Sequence, residues 1–263
     1  MTLAGWLGKR GVEGAATRRD QLAKDVTYAP RLAGLRLVAV GDIHGRMDLL
    51  ADLHDRLDLE IDGAHPVPPI EIYLGDYVDR GPDTRGVLAA LIARNRERHA
   101  VFLMGNHERM MLRALEDPGS VTHWLKNGGE HTLRSYGVGP GDLQQAAERD
   151  PSLICRVMRE IVPADHVAFL RRLQLHFSIG GFAFVHAGIR PGVPLPEQRE
   201  EDLLWIRDGF LGSSADHGFV VVHGHTPVQA PEFLRNRINL DTGAVFTGML
   251  TCLLISDAEL RFV

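Results

Sequence analysis

The sequence lacks the features that mark secreted, membrane-spanning and disulfide-stabilised proteins. It contains only two cysteines among 263 residues, Cys155 and Cys252, which argues against a disulfide framework and fits a reducing compartment. No stretch approaches the roughly 18 consecutive apolar residues of a membrane helix. Residues 1–30 also have no apolar run long enough for a secretory signal. We therefore expect a cytoplasmic protein without a membrane partner, in which both cysteines are buried as small apolar side chains.

Positive charge is also scarce. Lys and Arg number 29 against 34 Asp and Glu, a formal net charge of −5, whereas proteins that bind nucleic acid are usually basic. Nucleic acid is therefore not an expected partner. Hydrophobic residues at 44% and charged residues at 24% are typical of a folded domain. Because no linker rich in proline, glycine or serine divides the chain, we predict one domain over residues 31–263, preceded by a mobile arm over residues 1–30.

Short apolar runs alternate with amphipathic segments in the first half of the predicted domain. Strands are predicted at 35–40, 70–74 and 100–104, with helices between them at 47–59 and 84–98. This alternation is typical of parallel strands joined by right-handed helical crossovers. The sequence therefore predicts an α/β fold.

The rest of the predicted domain divides into a helical block and further strands. Residues 108–173 are predicted to form a helical insertion made of short helices. Strands are then predicted at 173–180, 182–188, 219–224, 237–243 and 249–256, the first two joined as a hairpin through Gly180 and Gly181. The arginines at 94, 96 and 98 are interpreted as a solvated helix end.

Polar side chains follow the three predicted parallel strands at the point where each strand ends. They are Asp42 and His44 after the first strand, Asp76 and Asp79 after the second, and Asn106 and His107 after the third. His186 and His225 follow two later strands in the same way. Since the carboxyl ends of parallel strands meet at one edge of an open sheet, we expect these groups to lie close together.

The donor atoms of this set suit a transition-metal centre. Two carboxylates, one amide oxygen and three imidazoles favour Mn²⁺, Fe or Zn²⁺ over Ca²⁺ or Mg²⁺. Six ligands exceed the needs of one open catalytic ion and suit two ions that share a carboxylate. The alternative, that Asp42, Asp76 and Asn106 only cap helices, explains single residues but not the accompanying histidines. Arg80, beside Asp79, is placed to donate to two phosphate oxygens.

The motifs GDIHG, GDYVDRG, GNHE, HAG and GHTP occur in this order between residues 36 and 256. In this order they resemble the phosphoprotein phosphatase superfamily of metallophosphoesterases, and most closely its bacterial branch around the bacteriophage lambda serine/threonine protein phosphatase. The resemblance implies a calcineurin-like fold, in which mixed β-sheets form a sandwich flanked by helices.

The resemblance also implies roles for individual residues. Asp42, His44 and Asp76 would hold a first metal ion. Asp76, Asn106, His186 and His225 would hold a second, with Mn²⁺ favoured and Fe or Zn²⁺ as alternatives. His107 would be the general acid, held in its charged form by Asp79. Arg80 and Arg207 would bind the phosphate of the substrate, with Asn106 beside it.

The implied reaction is hydrolysis of phosphate monoesters by a hydroxide that bridges the two ions. A phosphorylated protein or a small phosphoester is the expected partner, with phosphoserine and phosphothreonine favoured and phosphotyrosine left open. One alternative is a bis(5'-nucleosyl)-tetraphosphatase or another nucleotide phosphohydrolase, whose symmetrical members tend to read ARG and GNHD where this chain has DRG and GNHE. A second alternative is a catalytically silent module that docks phosphate groups. The sequence predicts no oligomeric state.

Two further positions are interpreted as structural. His223 lies two residues before His225 and is expected to be a core or rim histidine. The segment 124–137 is expected to pack near the pocket, with Asn127 and Glu130 as candidates for contacts at its rim.

Overall fold

The computed structural model describes residues 32–64, 68–141, 150–257 and 259–263. The predicted arm, residues 1–30, lies outside the described residues, and the division into an arm and one domain stays a prediction. None of the described helices is long and apolar enough to cross a membrane.

The described residues form ten strands and ten α-helices. In chain order the strands are β1 (Leu37–Val40), β2 (Ile70–Tyr73), β3 (Ala100–Phe102), β4 (His176–Ile179), β5 (Phe182–Val185), β6 (Val220–His223), β7 (Glu232–Phe233), β8 (Arg237–Asn239), β9 (Cys252–Ile255) and β10 (Leu260–Phe262). The helices are α1 (Met47–Ala64), α2 (Thr84–Glu97), α3 (Asn106–Glu116), α4 (Pro118–Trp124), α5 (Glu130–Ser135), α6 (Pro151–Ile161), α7 (Ala164–Leu170), α8 (Glu200–Trp205), α9 (Asp208–Leu211) and α10 (Ala244–Thr247). A kinked segment, Leu125–Gly129, joins α4 to α5, with non-helical backbone angles at Gly128, and a short 3-10 turn spans Leu195–Glu197.

The first sheet contains the predicted βαβαβ unit. Its strand order is β10-β9-β1-β2-β3, in which β1, β2 and β3 are parallel and β9 runs antiparallel to β1. Helices α1 and α2 make the two crossovers. The carboxyl ends of β1, β2 and β3 therefore lie at one edge, as the sequence predicted.

The second sheet has the order β4-β5-β6-β8-β7. Its first two strands form the predicted antiparallel hairpin, and Gly180 and Gly181 at the turn have φ of 60° and 86°. Strand β7 was not predicted, because a two-residue strand leaves no apolar pattern in the sequence.

The two sheets pack face to face, with helices outside them. Along β1, Leu37 and Ala39 belong to the apolar cluster between the sheets, whereas Val38 and Val40 belong to the cluster under the helices. Along β5, Phe182 and Phe184 face the first sheet in the same alternating manner. This helix, sheet, sheet, helix arrangement is the α/β sandwich that the family resemblance implied, around the βαβαβ unit that the sequence pattern predicted.

Between β3 and β4 the described chain is mainly helical, running from α3 to α7. Helix α3 begins directly after Gly105, so Asn106, His107 and Glu108 occupy its first turn. Cys155, in α6, and Cys252, in β9, are both buried and unpaired, as expected.

The interpretation of Arg94 as a solvated residue was wrong. Arg94 is only 5% exposed, and it donates to Glu71 on β2 over 2.7 and 2.9 Å and to Asp58 on α1 over 2.8 Å. Burial acts against the charged guanidinium, but the hydrogen bonds and charge of Glu71 raise the pKa of Arg94 above its ordinary value. Glu71 is fully buried, and Arg94 is the countercharge that makes its burial tolerable.

Candidate metal centre

The polar strand-end residues converge around the carboxylate of Asp76, which is buried. Asp76 Oδ2 lies 3.4 Å from His44 Nε2 and 3.9 Å from His107 Nε2. Asp76 Oδ1 lies 3.4 Å from His186 Nε2. The two oxygens of one carboxylate therefore face different groups of imidazoles, which is the arrangement that a bridging ligand requires.

Two sets of potential metal ligands share Asp76. In each set, one donor atom from every residue lies within 4.8 Å of the others; the sets are His44, Asp76 and His107, and Asp76, His186 and His225. Asn106 belongs with the second set, because its Oδ1 lies 2.9 Å from His186 Nε2 and 3.0 Å from His225 Nδ1.

Asp42 lies beside these sets without belonging to either. Its Oδ2 accepts a hydrogen bond from the backbone N–H of His225 over 3.0 Å. Burial raises the pKa of Asp42, and the nearby carboxylates of Asp241 and Asp76 raise it further. Three carboxyl groups thus lie together in a buried place, which is unfavourable unless positive charge compensates them.

Backbone carbonyls fix the orientation of two of the imidazoles. The Nδ1 atoms of His44 and His186 each lie 2.9 Å from a backbone carbonyl oxygen, those of Val78 and Leu74. Donation at Nδ1 leaves the lone pair on Nε2, the atom that faces Asp76. Burial lowers the pKa of His44 to about 3 and that of His225 to about 2. Neutral imidazoles are the form in which histidine binds metal ions.

The residues present fit a pair of divalent cations. Asp42 Oδ1 is buried without a hydrogen-bond partner among the described residues. Buried polar atoms normally have partners, so this oxygen marks a position where a ligand is expected. Carboxylate, amide and imidazole donors together suit Mn²⁺, Fe or Zn²⁺.

Residues with strained backbone conformations are clustered around the centre. Six non-glycine residues in the described part of the chain have φ in the left-handed region, and all but Ala33 carry side chains of this cluster: His44, Asp76, Asp79, Arg80 and His225. Each such residue costs on the order of 1–3 kcal/mol, and strain of this kind is typical of functional sites.

His107 and Asp79 form a buried pair next to Asp76. His107 Nδ1 lies 2.8 Å from Asp79 Oδ2, and Asp79 also accepts from Trp124 Nε1 over 3.0 Å and from Thr132 Oγ1 over 2.7 Å. Burial acts against protonation of His107, but the charge of Asp76 and the bond to Asp79 outweigh it, so the pKa of His107 is raised. The family resemblance implied the pair, but Trp124 and Thr132 were missed, because their contacts with Asp79 form only when α4 and α5 fold over the sheet.

Glu108 supports the centre and was not predicted. Its carboxylate accepts from the backbone N–H groups of Asp76 over 2.8 Å, Tyr77 over 2.7 Å and Val78 over 3.0 Å. It also accepts from Gly105 N over 2.9 Å, at the start of its own helix. A glutamate three residues after a helix cap is a known capping signal, which could have identified it. It holds the loop after β2 in the shape that presents Asp76.

The two predicted phosphate-binding arginines lie in different environments. Arg80 Nη1 donates to His44 Nε2 over 2.7 Å, so its guanidinium reaches the cluster. Arg207 is exposed at the start of α9, and its charge is one of the influences that lower the pKa of His225. The same segment places the indole of Trp205 6.1 Å from the His225 ring, measured between centroids.

Other predicted residues have local roles, and one buried acid was missed. Asn127 donates to His123 O over 2.9 Å, and Glu130 pairs with Arg134 over 3.4 Å. His223 is fully buried 5.1 Å from the Phe210 ring, as expected of a core histidine. Asp241 was not predicted, although it directly follows a buried strand in the way that Asp42 and Asp76 do.

The chain is similar to known proteins along most of its length. A family model described as Calcineurin-like phosphoesterase matches residues 35–248. Serine/threonine-protein phosphatase 1 of Salmonella typhimurium is 32% identical over 221 residues, which cover 81% of this chain and 88% of that protein. An asymmetrical bis(5'-nucleosyl)-tetraphosphatase PrpE of Anoxybacillus flavithermus is 28% identical over 239 residues, which cover 84% of this chain and 90% of that protein.

The fold of the chain is also similar to that of a solved phosphatase structure. The crystal structure of a cold-active protein-tyrosine phosphatase of a psychrophilic Shewanella species superposes with a TM-score of 0.58 at 17% identity, covering 91% of this chain and 83% of that one. At this identity the match shows the fold alone. The family match and the Salmonella relative, which agree with the buried cluster of potential metal ligands, show that the chain belongs to the calcineurin-like phosphoesterases, a family of metal-dependent hydrolases.

Proposed function

We propose that the protein is a phosphatase that hydrolyses phosphate monoesters, with phosphoserine and phosphothreonine side chains of proteins as its substrates. The observation that carries the proposal is the buried His107–Asp79 pair beside the Asp76 carboxylate. A proton donor at this position is of use only when a bond to a poor leaving group breaks. It would have no task in a module that only docks phosphate groups.

The centre would hold two divalent ions, with Mn²⁺ favoured and Fe or Zn²⁺ as alternatives. Asp42, His44 and Asp76 would hold the first ion, and Asp76, Asn106, His186 and His225 the second. Bound there, the two ions would supply positive charge that makes a water molecule more acidic and that offsets the charge on the phosphate oxygens.

His107 would protonate the leaving group. Its Nδ1 is engaged by Asp79, and its Nε2 is buried without a hydrogen-bond partner among the described residues. As the water oxygen bonds to phosphorus and the ester P–O bond breaks, the proton on Nε2 passes to the departing alcohol oxygen. Asp79 stabilises the charged imidazole before transfer and fixes the direction of its N–H.

Arginines and an amide would orient the phosphate. The lone pair of His44 Nε2 accepts only one partner, so when His44 is a metal ligand the Arg80 guanidinium is free to donate to phosphate oxygens. Arg207 would add a second positive charge at the rim of the centre, and the Asn106 amide would contact the phosphate.

The second candidate function is hydrolysis of dinucleoside tetraphosphates. The observation that favours it is the similarity to PrpE, which covers slightly more of this chain than the similarity to the Salmonella phosphatase does. Both reactions use the same centre, so they are distinguished by the groups around the reacting phosphate.

A direct comparison of substrates tests the proposal. Protein loaded with Mn²⁺ is given phosphoserine, phosphothreonine and phosphotyrosine peptides and a dinucleoside tetraphosphate at equal concentrations, and kcat/KM is measured for each. Higher kcat/KM for the phosphoserine and phosphothreonine peptides supports the proposal, whereas higher kcat/KM for the dinucleotide favours the second candidate. Absence of turnover with two ions bound would indicate the silent docking module.

A further inference from the structure

The chain bends sharply where it brings Arg80 to the centre. Asp79 and Arg80 both have φ in the left-handed region, at 69° and 65°. The backbone N–H of Arg80 donates to Gly128 O over 3.2 Å, which ties the bend to the kinked segment Leu125–Gly129 between α4 and α5.

Gly128 contacts Arg80 so closely that no side chain fits between them. A β-carbon on Gly128 would lie 2.8 Å from Arg80 Cγ and 2.9 Å from Arg80 N. Gly128 also has a φ of 104°, which favours glycine. Any other residue at 128 would therefore push away either the backbone of Arg80 or the base of its side chain.

Arg80 is thus held at both ends. Its backbone and Cγ rest against Gly128, and its Nη1 reaches His44 Nε2 at the centre. An arginine side chain has several rotatable bonds. Contacts at its base reduce the number of conformations that the side chain samples, so less conformational entropy is lost when the guanidinium binds a ligand. Restriction of this kind improves binding without adding a contact to the ligand.

We propose that Gly128 is a positioning residue that fixes the base of Arg80, so that the guanidinium meets the phosphate group of the substrate. The inference rests on the proposed function, in which Arg80 binds phosphate. Its consequence is that phosphate affinity depends on position 128, whereas proton transfer by His107 does not.

The test compares Gly128→Ala with Gly137→Ala. Gly137 has a φ of 97°, close to that of Gly128, but a β-carbon there would meet nothing within 4 Å. The two substitutions therefore impose similar backbone strain, and only the first disturbs Arg80. For each Mn²⁺-loaded variant, the dissociation constant of inorganic phosphate is measured by calorimetry, KM and kcat are measured with an aryl phosphate, and stability is measured by urea unfolding.

We expect Gly128→Ala to weaken phosphate binding and raise KM about tenfold, the loss typical of a charge-assisted hydrogen bond. We expect its kcat to change less than KM, and Gly137→Ala to bind phosphate within about twofold of wild type. In an Arg80→Ala background, Gly128→Ala should have no further effect on phosphate affinity, because its partner has been removed.

Equal phosphate affinity in Gly128→Ala and Gly137→Ala would overturn the proposal. An equal loss of phosphate affinity on Gly128→Ala in the wild-type and Arg80→Ala backgrounds would overturn the proposal as well. If the protein bound phosphate but hydrolysed no ester, only the proposed function would be contradicted. The positioning role of Gly128 would still be tested, because it is read from the affinity for phosphate. A wild-type protein that binds no phosphate would overturn both.

Discussion

The two ring nitrogens of His107 face different surroundings, and this asymmetry decides its chemistry. Nδ1 is paired with Asp79, which is itself held by Trp124 and Thr132, whereas Nε2 points toward Asp76 without a hydrogen-bond partner among the described residues. The position also places His107 within one of the two sets of potential metal ligands. His107 is therefore either a proton donor or a metal ligand, and a substitution distinguishes between these two roles.

We predict that His107→Asn lowers kcat by about 10²–10⁴-fold, the usual contribution of a general acid, while metal content stays unchanged. Steady-state kinetics and elemental analysis of the same preparation check both parts. His99→Asn, a change at an exposed histidine, is the matched control. Loss of one metal ion from the His107 variant would instead make His107 a ligand.

For individual residues, the sequence predicted the polar side chains that follow strands, because their position in the chain determines their position at the sheet edge. Thr132 was missed because its partner is a buried carboxylate that only the folded chain brings near, whereas Glu108 was missed although its capping position after Gly105 was visible in the sequence. Asp241 was missed because the predicted strand, 237–243, enclosed it, whereas the observed strand β8 ends at Asn239 and leaves Asp241 just beyond its end.

Helices α1 and α2 attach to the first sheet through buried polar groups as well as apolar packing. Arg94 of α2 neutralises Glu71 of β2, and His54 of α1 places Nε2 2.9 Å from the hydroxyl of Tyr73. The apolar periodicity predicted both helices, but it assigned Arg94 to solvent. The signal that was overlooked is Glu71 itself, because an acid in the middle of a buried strand requires a cation opposite it.

His54 makes the attachment of α1 sensitive to pH. Burial, together with the positive charge of Arg94, lowers the pKa of His54 from its ordinary value of 6.5 to about 4. Between these two values the unfolded chain binds the proton more readily than the folded chain does. The free energy of unfolding therefore falls as the pH falls through this range.

We predict that His54→Gln loses about 2 kcal/mol less stability than wild type when the pH is lowered from 7 to 5. Urea unfolding of both proteins at the two pH values checks this. Subtracting the loss of unfolding free energy of the variant from that of wild type removes the contributions of the remaining histidines. An equal loss of stability in the two proteins would show that His54 titrates normally in the folded state.

In the whole molecule, the centre lies where the two sheets meet. Asp42, His44, Asp76 and Asn106 follow strands of the first sheet, whereas His186 and His225 follow strands of the second. The spacing of the βαβ units predicts convergence within the first sheet. It does not by itself predict that a second sheet adds its histidines to the same place, which depends on the apolar cluster between the sheets. His186 and His225 were expected there because they too follow strands, and the family resemblance implied the same.

The central claim is that Asp76 joins two metal ions in one centre, because its two oxygens face the two sets of imidazoles. The most direct test is the metal content of wild type and Asp76→Asn after loading with Mn²⁺ and removal of free ions, with Asp52→Asn as an exposed control on α1. Urea unfolding of the variant confirms that it is folded. We predict two ions per chain in wild type and in the control, and loss of both in Asp76→Asn. Two ions retained in folded Asp76→Asn would contradict the claim.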